Sequence, residues 1–241
     1  MSVSQAVRNP RGYLVRTLGM YRALLFDPEH FYDEYLGSRG LRSEILMVAF
    51  VGVVGFVGNY FARQELTTVI VEEFGDILNR DSEFELIRLV IEPLVGIFLL
   101  WFGLVVALYA VSWLYSTVGQ IYELMKRSAW ATVPLLIANL LHTIAIAYAA
   151  TQVEVDNIDL QDFPQPPIER ALYVWDLAAG EIYVTATVLV SVVFILWSGY
   201  IAAYAVRDVR DLETDEALRV AAVPAGLYAI WVIYQGVTAL I

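Results

Sequence analysis

Residues 93–118, PLVGIFLLWFGLVVALYAVSWLYSTV, run for 26 positions without one Asp, Glu, Lys or Arg. Wound as an α-helix at about 1.5 Å per residue, the stretch reaches roughly 39 Å, more than the ~30 Å hydrocarbon layer of a bilayer. Four further runs, 45–62, 129–150, 183–206 and 220–241, also lack Arg and Lys, and each is long enough to cross. Composition points the same way: 59 % of the 241 residues are hydrophobic and 17 % charged, against roughly 45–50 % and about 25 % in soluble domains. A soluble core of this size could not hide that much apolar surface. The predicted fold class is therefore an all-α integral membrane protein. Five transmembrane helices form a membrane domain over 43–241, preceded by an amphipathic cytoplasmic segment over 1–42. The first apolar run starts after forty-odd polar residues, which reads as an uncleaved first span rather than a secretory signal peptide.

Charge orients the spans. Arg8, Arg11, Arg16, Arg22, Arg39, Arg42, Lys126, Arg127, Arg207, Arg210 and Arg219 fall on one side, and only Arg63, Arg80, Arg88 and Arg170 on the other. The positive-inside rule then predicts a cytoplasmic N-terminus and a C-terminus outside the cell membrane, the opposite placement that an odd number of spans requires. Acidic residues divide differently, eleven inside and fifteen on or beside the outer face, so that face carries the whole net charge of −11. One lysine among 15 basic residues and a pI near 4.6 match the acidic usage of proteins from salt-rich habitats, where net charge keeps surfaces hydrated.

The connections carry local signals. Leu14, Leu18, Tyr21 and Leu25 share a helical face, with Arg16 and Arg22 at its flank, predicting a helix on the inner membrane surface or on the protein's own inner face. Asp27-Pro28 should end it. Ser82-Glu83-Phe84-Glu85 reads as a capping box, starting a short helix that feeds the second span through a bend at Pro93. Residues 151–182 are acidic and contain Pro164, Pro166 and Pro167, which favour extended structure. Asp156, Asp159 and Asp162 lack the ligand order and central glycine of a calcium loop.

Few residues offer chemistry. Absence of cysteine excludes disulfides and thiolate metal sites, and His30 and His142 alone cannot build a histidine cage. No phosphate loop, dinucleotide fingerprint or nucleophile elbow occurs, so no catalytic residue, cofactor or metal site is predicted. No concentrated basic patch suits nucleic acid; the arginines fit anionic lipid headgroups better. Polar residues inside or bordering the spans are Asn59, Glu92, Asn139, His142 and Gln235, and such residues face other helices or mark a pathway. Asn139 and His142, at i and i+3, share a face. Gly52, Gly55 and Gly58 form a small-residue stripe for close helix approach; Gly103 with Ala107, and Gly199 with Ala202 and Ala203, repeat it. Ala131-Thr132-Val133-Pro134 and Ala221-Ala222-Val223-Pro224 share Ala-x-Val-Pro, which either a parallel repeat or a chance match of four residues explains.

Leu25-Phe26-Asp27-Pro28-Glu29-His30-Phe31-Tyr32, followed by a polar stretch and an apolar span, resembles the opening of the Yip family of Ypt/Rab-interacting membrane proteins. Its prokaryotic branch has a Pro-x-x-Phe element there, here Pro28-Glu29-His30-Phe31. The five-span layout, and a charged residue followed by a proline early in the third span (Arg127 and Pro134), are similar too. The resemblance implies a non-enzymatic scaffold or adaptor. Eukaryotic relatives engage prenylated Rab-type GTPases, but this chain lacks their Asp-Leu-Tyr-Gly-Pro type element, which argues against GTPase binding. The candidate contact residues are Pro28, Phe31, Arg39 and Arg42, and the expected partners are membrane lipid and a protein, either unidentified or a second copy of the chain. The alternative is a small permease or channel subunit whose path is lined by Asn59, Glu92, Asn139 and His142.

Overall fold

The structure, a computed structural model, describes residues 10–35, 41–74, 80–152 and 182–238. Helix α1 (Pro10–Phe26) starts on a proline, pre-set for the first helical turn. It stops at Asp27, whose backbone leaves helical geometry and whose carboxylate accepts from the His30 N–H at 3.3 Å. That cap opens α2 (Pro28–His30), which widens into a π-turn over Phe31–Tyr35.

Five long helices follow, each apolar and long enough to cross a membrane. They are α3 (Leu41–Phe74), α4 (Arg80–Ser112), α6 (Val133–Ala150) with its lead-in, α7 (Ile182–Arg210) and α8 (Thr214–Thr238). The lead-in is α5 (Ile121–Ser128) and a tight 3₁₀ turn over Ala129–Thr132. Around the bundle the order is α4, α3, α6, α7, α8, with α8 returning to touch α4 more lightly. We call the end carrying α2, residues 113–120 and the 211–213 turn the amino end, and the opposite one the far end.

The glycine stripe explains the tightest contacts. A Cβ on Gly52 would come within 2.7 Å of Ile97, one on Gly55 within 2.9 Å of Pro93, and one on Gly58 within 2.7 Å of Thr143. One edge of α3 thus admits both α4 and α6, and Asn139 and Thr143 donate across the gap to the carbonyls of Val51 (3.0 Å) and Val54 (2.8 Å). Gly199 does the same for α7 and α8 against Ala225.

Several boundaries differ from the sequence reading. The segment 63–92 is mostly helix: α3 continues to Phe74 and α4 starts at Arg80, ahead of Ser82, passing through Pro93 without interruption. Both extensions mix charged residues among apolar ones, so no unbroken hydrophobic run marks them. At the amino end α4 stops at Ser112, six residues before the apolar run does. Arg210 holds that stop: it is fully buried, its Nε donates to Ser112 Oγ at 2.8 Å, and Nη1 donates to the carbonyls of Val118 and Gly119. The guanidinium lies 4.6 Å from the centre of the Tyr109 ring. Gly119 is at φ 86°, with Val209 O where a Cβ would go, so no other residue fits that turn. The two Ala-x-Val-Pro segments differ in setting: Pro134 is in the first turn of α6, whereas Pro224 lies in the interior of α8. On α1 the buried face is Met20, Ala23 and Leu24, while Val15, Leu18 and Phe26 are exposed. The acidic connection with Pro164, Pro166, Pro167, Asp156, Asp159 and Asp162 lies outside the described residues, as does the Leu14 side chain.

Candidate functional site

Asn59, Glu92, Asn139 and His142 meet in one cavity. Its volume is about 550 Å³, and it is walled by all five long helices, with Gly55, Gly96 and Ser191 among the lining residues. The i, i+3 spacing on α6 turns Asn139 and His142 to the same side, and the close approach at Gly55 brings Asn59 and Glu92 toward them. Asn139 donates its amide to Val51 O. His142 Nδ1 is 3.5 Å from Thr187 Oγ1, whose own proton goes to Val184 O at 2.7 Å. His142 stands eight residues, about 12 Å, from the far end of α6.

A second chamber of about 400 Å³ lies beside the first, and Leu100, Leu135, Ile195 and Tyr228 border both. Its walls are nearly all apolar. Ser198 donates to Ala131 O. Trp101 is buried, yet its indole N–H has no acceptor among the described residues. Gly103, expected to pack a neighbouring helix, has nothing within 4 Å of where a Cβ would stand, and lines this chamber instead. Both chambers open sideways between α4 and α8, as the exposed lining residues Glu92, Leu99, Leu227 and Trp231 mark.

The other sequence candidates sit at the amino end. Pro28 and Phe31 are buried, and the Phe31 ring packs on Trp130 at 5.4 Å and stacks on Tyr35 at 6.2 Å. Tyr32 is buried beside them and donates to Arg127 O at 3.0 Å; burial pushes its phenol well above the ordinary value. Arg207 pairs with Glu29 at 2.7 Å and reaches Asp33 at 3.9 Å, and Arg127 pairs with Asp208. Trp197 Nε1 donates to Leu25 O at 2.9 Å. Together these fasten α1 and α2 along α7, leaving Glu29, His30, Asp33 and Glu34 exposed. Arg42 is exposed on α3, and Arg39 lies outside the described residues.

Sequence reasoning missed Arg210 and Trp101. Arg210 counts in the sequence only as one more basic residue at a span boundary, and Trp101 as one more apolar one; their burial and partners come from helices distant in the chain.

A family model described as Yip1 domain matches residues 22–235. No curated protein and no solved structure gives a significant match.

Proposed function

Because the chain belongs to the Yip1 domain family, a family of multi-pass membrane proteins, we propose that this one is a non-enzymatic scaffold or adaptor of the cell membrane. Its amino end faces the cytoplasm, in keeping with the arginine bias. The observation that carries the reading is the docked segment 10–35. A buried aromatic anchor, the hydrogen bond from Tyr32 to the Arg127 carbonyl of α5 and the ion pair of Glu29 with Arg207 of α7 hold a charged surface in a fixed place on a membrane-embedded body. Pro28 and Phe31 position that surface, and Arg42, exposed on α3, is a further contact in this reading. A cytoplasmic protein or a second copy of the chain is the partner in this reading, with lipid around the bundle. The acidic composition favours a salt-rich habitat, so the test is gentle extraction at high ionic strength followed by identification of what co-purifies. A stoichiometric companion that is lost with Phe31→Ala supports the adaptor; a lone particle with either sequence defeats it.

The meeting of Asn59, Glu92, Asn139 and His142 in one cavity favours a second reading, a small permease or channel subunit. Flux in reconstituted vesicles that His142→Ala abolishes with folding intact would put it first.

A further inference from the structure

The polar cavity carries charge of one sign. Glu92 is the one carboxylate among its lining residues, and no Arg or Lys lines it. Its neighbours are set by helix packing. A Cβ on Gly55 would stand 2.9 Å from Pro93 and 3.6 Å from Asn139 Nδ2. Pro93, with Glu92 next to it in the chain, therefore lies level with Asn139 along the bundle.

The polar wall is rich in acceptors. Asn139 gives its amide to Val51 O at 3.0 Å, and Ser191 gives its hydroxyl to Val188 O at 2.5 Å. Both spend donors on the backbone, and their oxygens accept. Asn59 and His142 can play either part. On α8, Tyr228 and Trp231 stack at 5.7 Å and line the same cavity, and aromatic faces attract a cation within about 6 Å.

These groups select among ligands. An anion meets Glu92 with no basic side chain to offset it. A bare metal ion needs several fixed ligands, and no group of three His, Asp or Glu side chains that could hold one occurs among the described residues. The volume of about 550 Å³ is that of a small-molecule site. A primary ammonium brings positive charge and three N–H donors.

We propose that this cavity binds a primary alkylammonium group, its N–H donors on Glu92 and Asn139 and its apolar chain against Leu100 and Trp231. A free amine and the headgroup of phosphatidylethanolamine both carry that group, and the sideways mouth admits either. The proposal gives a ligand class to the cavity of the second reading and is independent of the adaptor reading. It concerns binding alone, so a protein that holds the amine without flux defeats the permease and leaves the site standing.

The test uses the full chain in phosphatidylcholine nanodiscs with hexylamine, protonated at neutral pH and carrying a diazirine at the end of its chain. After irradiation, the label should map to the cavity around Leu100 and Trp231. Unlabelled hexylammonium should compete, and hexanol and hexanoate at the same concentration should not. Glu92→Gln should weaken that competition about tenfold. Glu65→Gln makes the same change of charge at an exposed position of α3 off the cavity wall and should leave it unaltered. Gly96→Leu, which enters the cavity from a wall position with open space, should cut labelling about tenfold. Circular dichroism and a single elution peak confirm that each variant is folded, and either cavity variant suffices if the other is not. Phosphatidylethanolamine added to the discs identifies the source: competition assigns the site to a headgroup, and its absence to a free amine, with the ammonium common to both. Label spread evenly over lipid-facing residues, equal competition by hexanol, or equal effects of Glu92→Gln and Glu65→Gln would overturn the proposal.

Discussion

Gly58→Ala adds one methyl group where α3 and α6 touch. Its Cβ would stand 2.7 Å from Thr143 Cα, Cγ2 and Oγ1, while unstrained carbon contacts lie at about 3.5–4.0 Å. The helices must part by roughly 1 Å, and Thr143 Cα is backbone that cannot rotate away. Overpacking of this kind costs about 1–3 kcal/mol. Parting the helices also stretches the bonds from Thr143 to Val54 and from Asn139 to Val51, at about 0.6 kcal/mol each. Against this, alanine is the better helix former by about 1 kcal/mol. The net expectation is a loss of about 1–3 kcal/mol. Gly96→Ala is the control: nothing lies within 4 Å of its added Cβ, so only the helix-propensity gain of up to about 1 kcal/mol remains. Titration of micelle-held protein with sodium dodecyl sulfate, followed by circular dichroism, compares the two midpoints. Equal midpoints would refute the packing argument.

Other consequences follow from single contacts. Phe31→Ala should loosen the docked segment by about 3–5 kcal/mol, whereas Arg207→Ala, which breaks pairs with exposed carboxylates, should cost less than about 1 kcal/mol; the rate of tryptic cleavage at the exposed Arg22 ranks the two. Tyr32 keeps its proton when docked because burial raises its pKa, and loses it when released at about the ordinary value of 10. The docked state therefore binds more protons above pH 10. Its stability is intact below that pH and should fall by about 1.4 kcal/mol per pH unit above it, a dependence that Tyr32→Phe should remove from the cleavage profile. Arg210→Met removes the donor to Ser112 Oγ, which keeps its own bond to Tyr109 O, and to the Val118 and Gly119 carbonyls, and should cost about 1–3 kcal/mol in the same detergent titration. Arg210→Lys should recover little, since an ammonium cannot reproduce the planar fork.

Hydropathy made the five spans legible because unbroken apolar runs have one economical use in a chain this greasy. It failed where tertiary contacts decide. Residues 113–118 carry no charge and so read as a continuation of the span before them, yet Arg210, nearly a hundred positions later, holds them out of the helix. The helical extensions to Phe74 and from Arg80 mix charged residues among apolar ones, so no unbroken apolar run marked them. Gly52, Gly55 and Gly58 were readable as a packing stripe because three glycines on one face have little other purpose. Gly103 has the same local appearance and serves an open chamber, a difference visible only once α8 is in place. The polar quartet was legible residue by residue, and Asn139 with His142 also by spacing. That Asn59 and Glu92 join them depends on how closely α3, α4 and α6 approach. Pro28 and Phe31 stood out by motif; the ring of Trp130 that encloses Phe31 lies about a hundred residues away.

Since the chain has no cysteine, single substitutions report on topology without background. Glu29→Cys and Gln152→Cys place thiols at exposed positions on the amino and far ends. With a membrane-impermeant maleimide, intact cells should label only Gln152→Cys, and Glu29→Cys should react only after the membrane is opened. Labelling of both from the same side would contradict a five-helix bundle that crosses the membrane with its two ends on opposite faces.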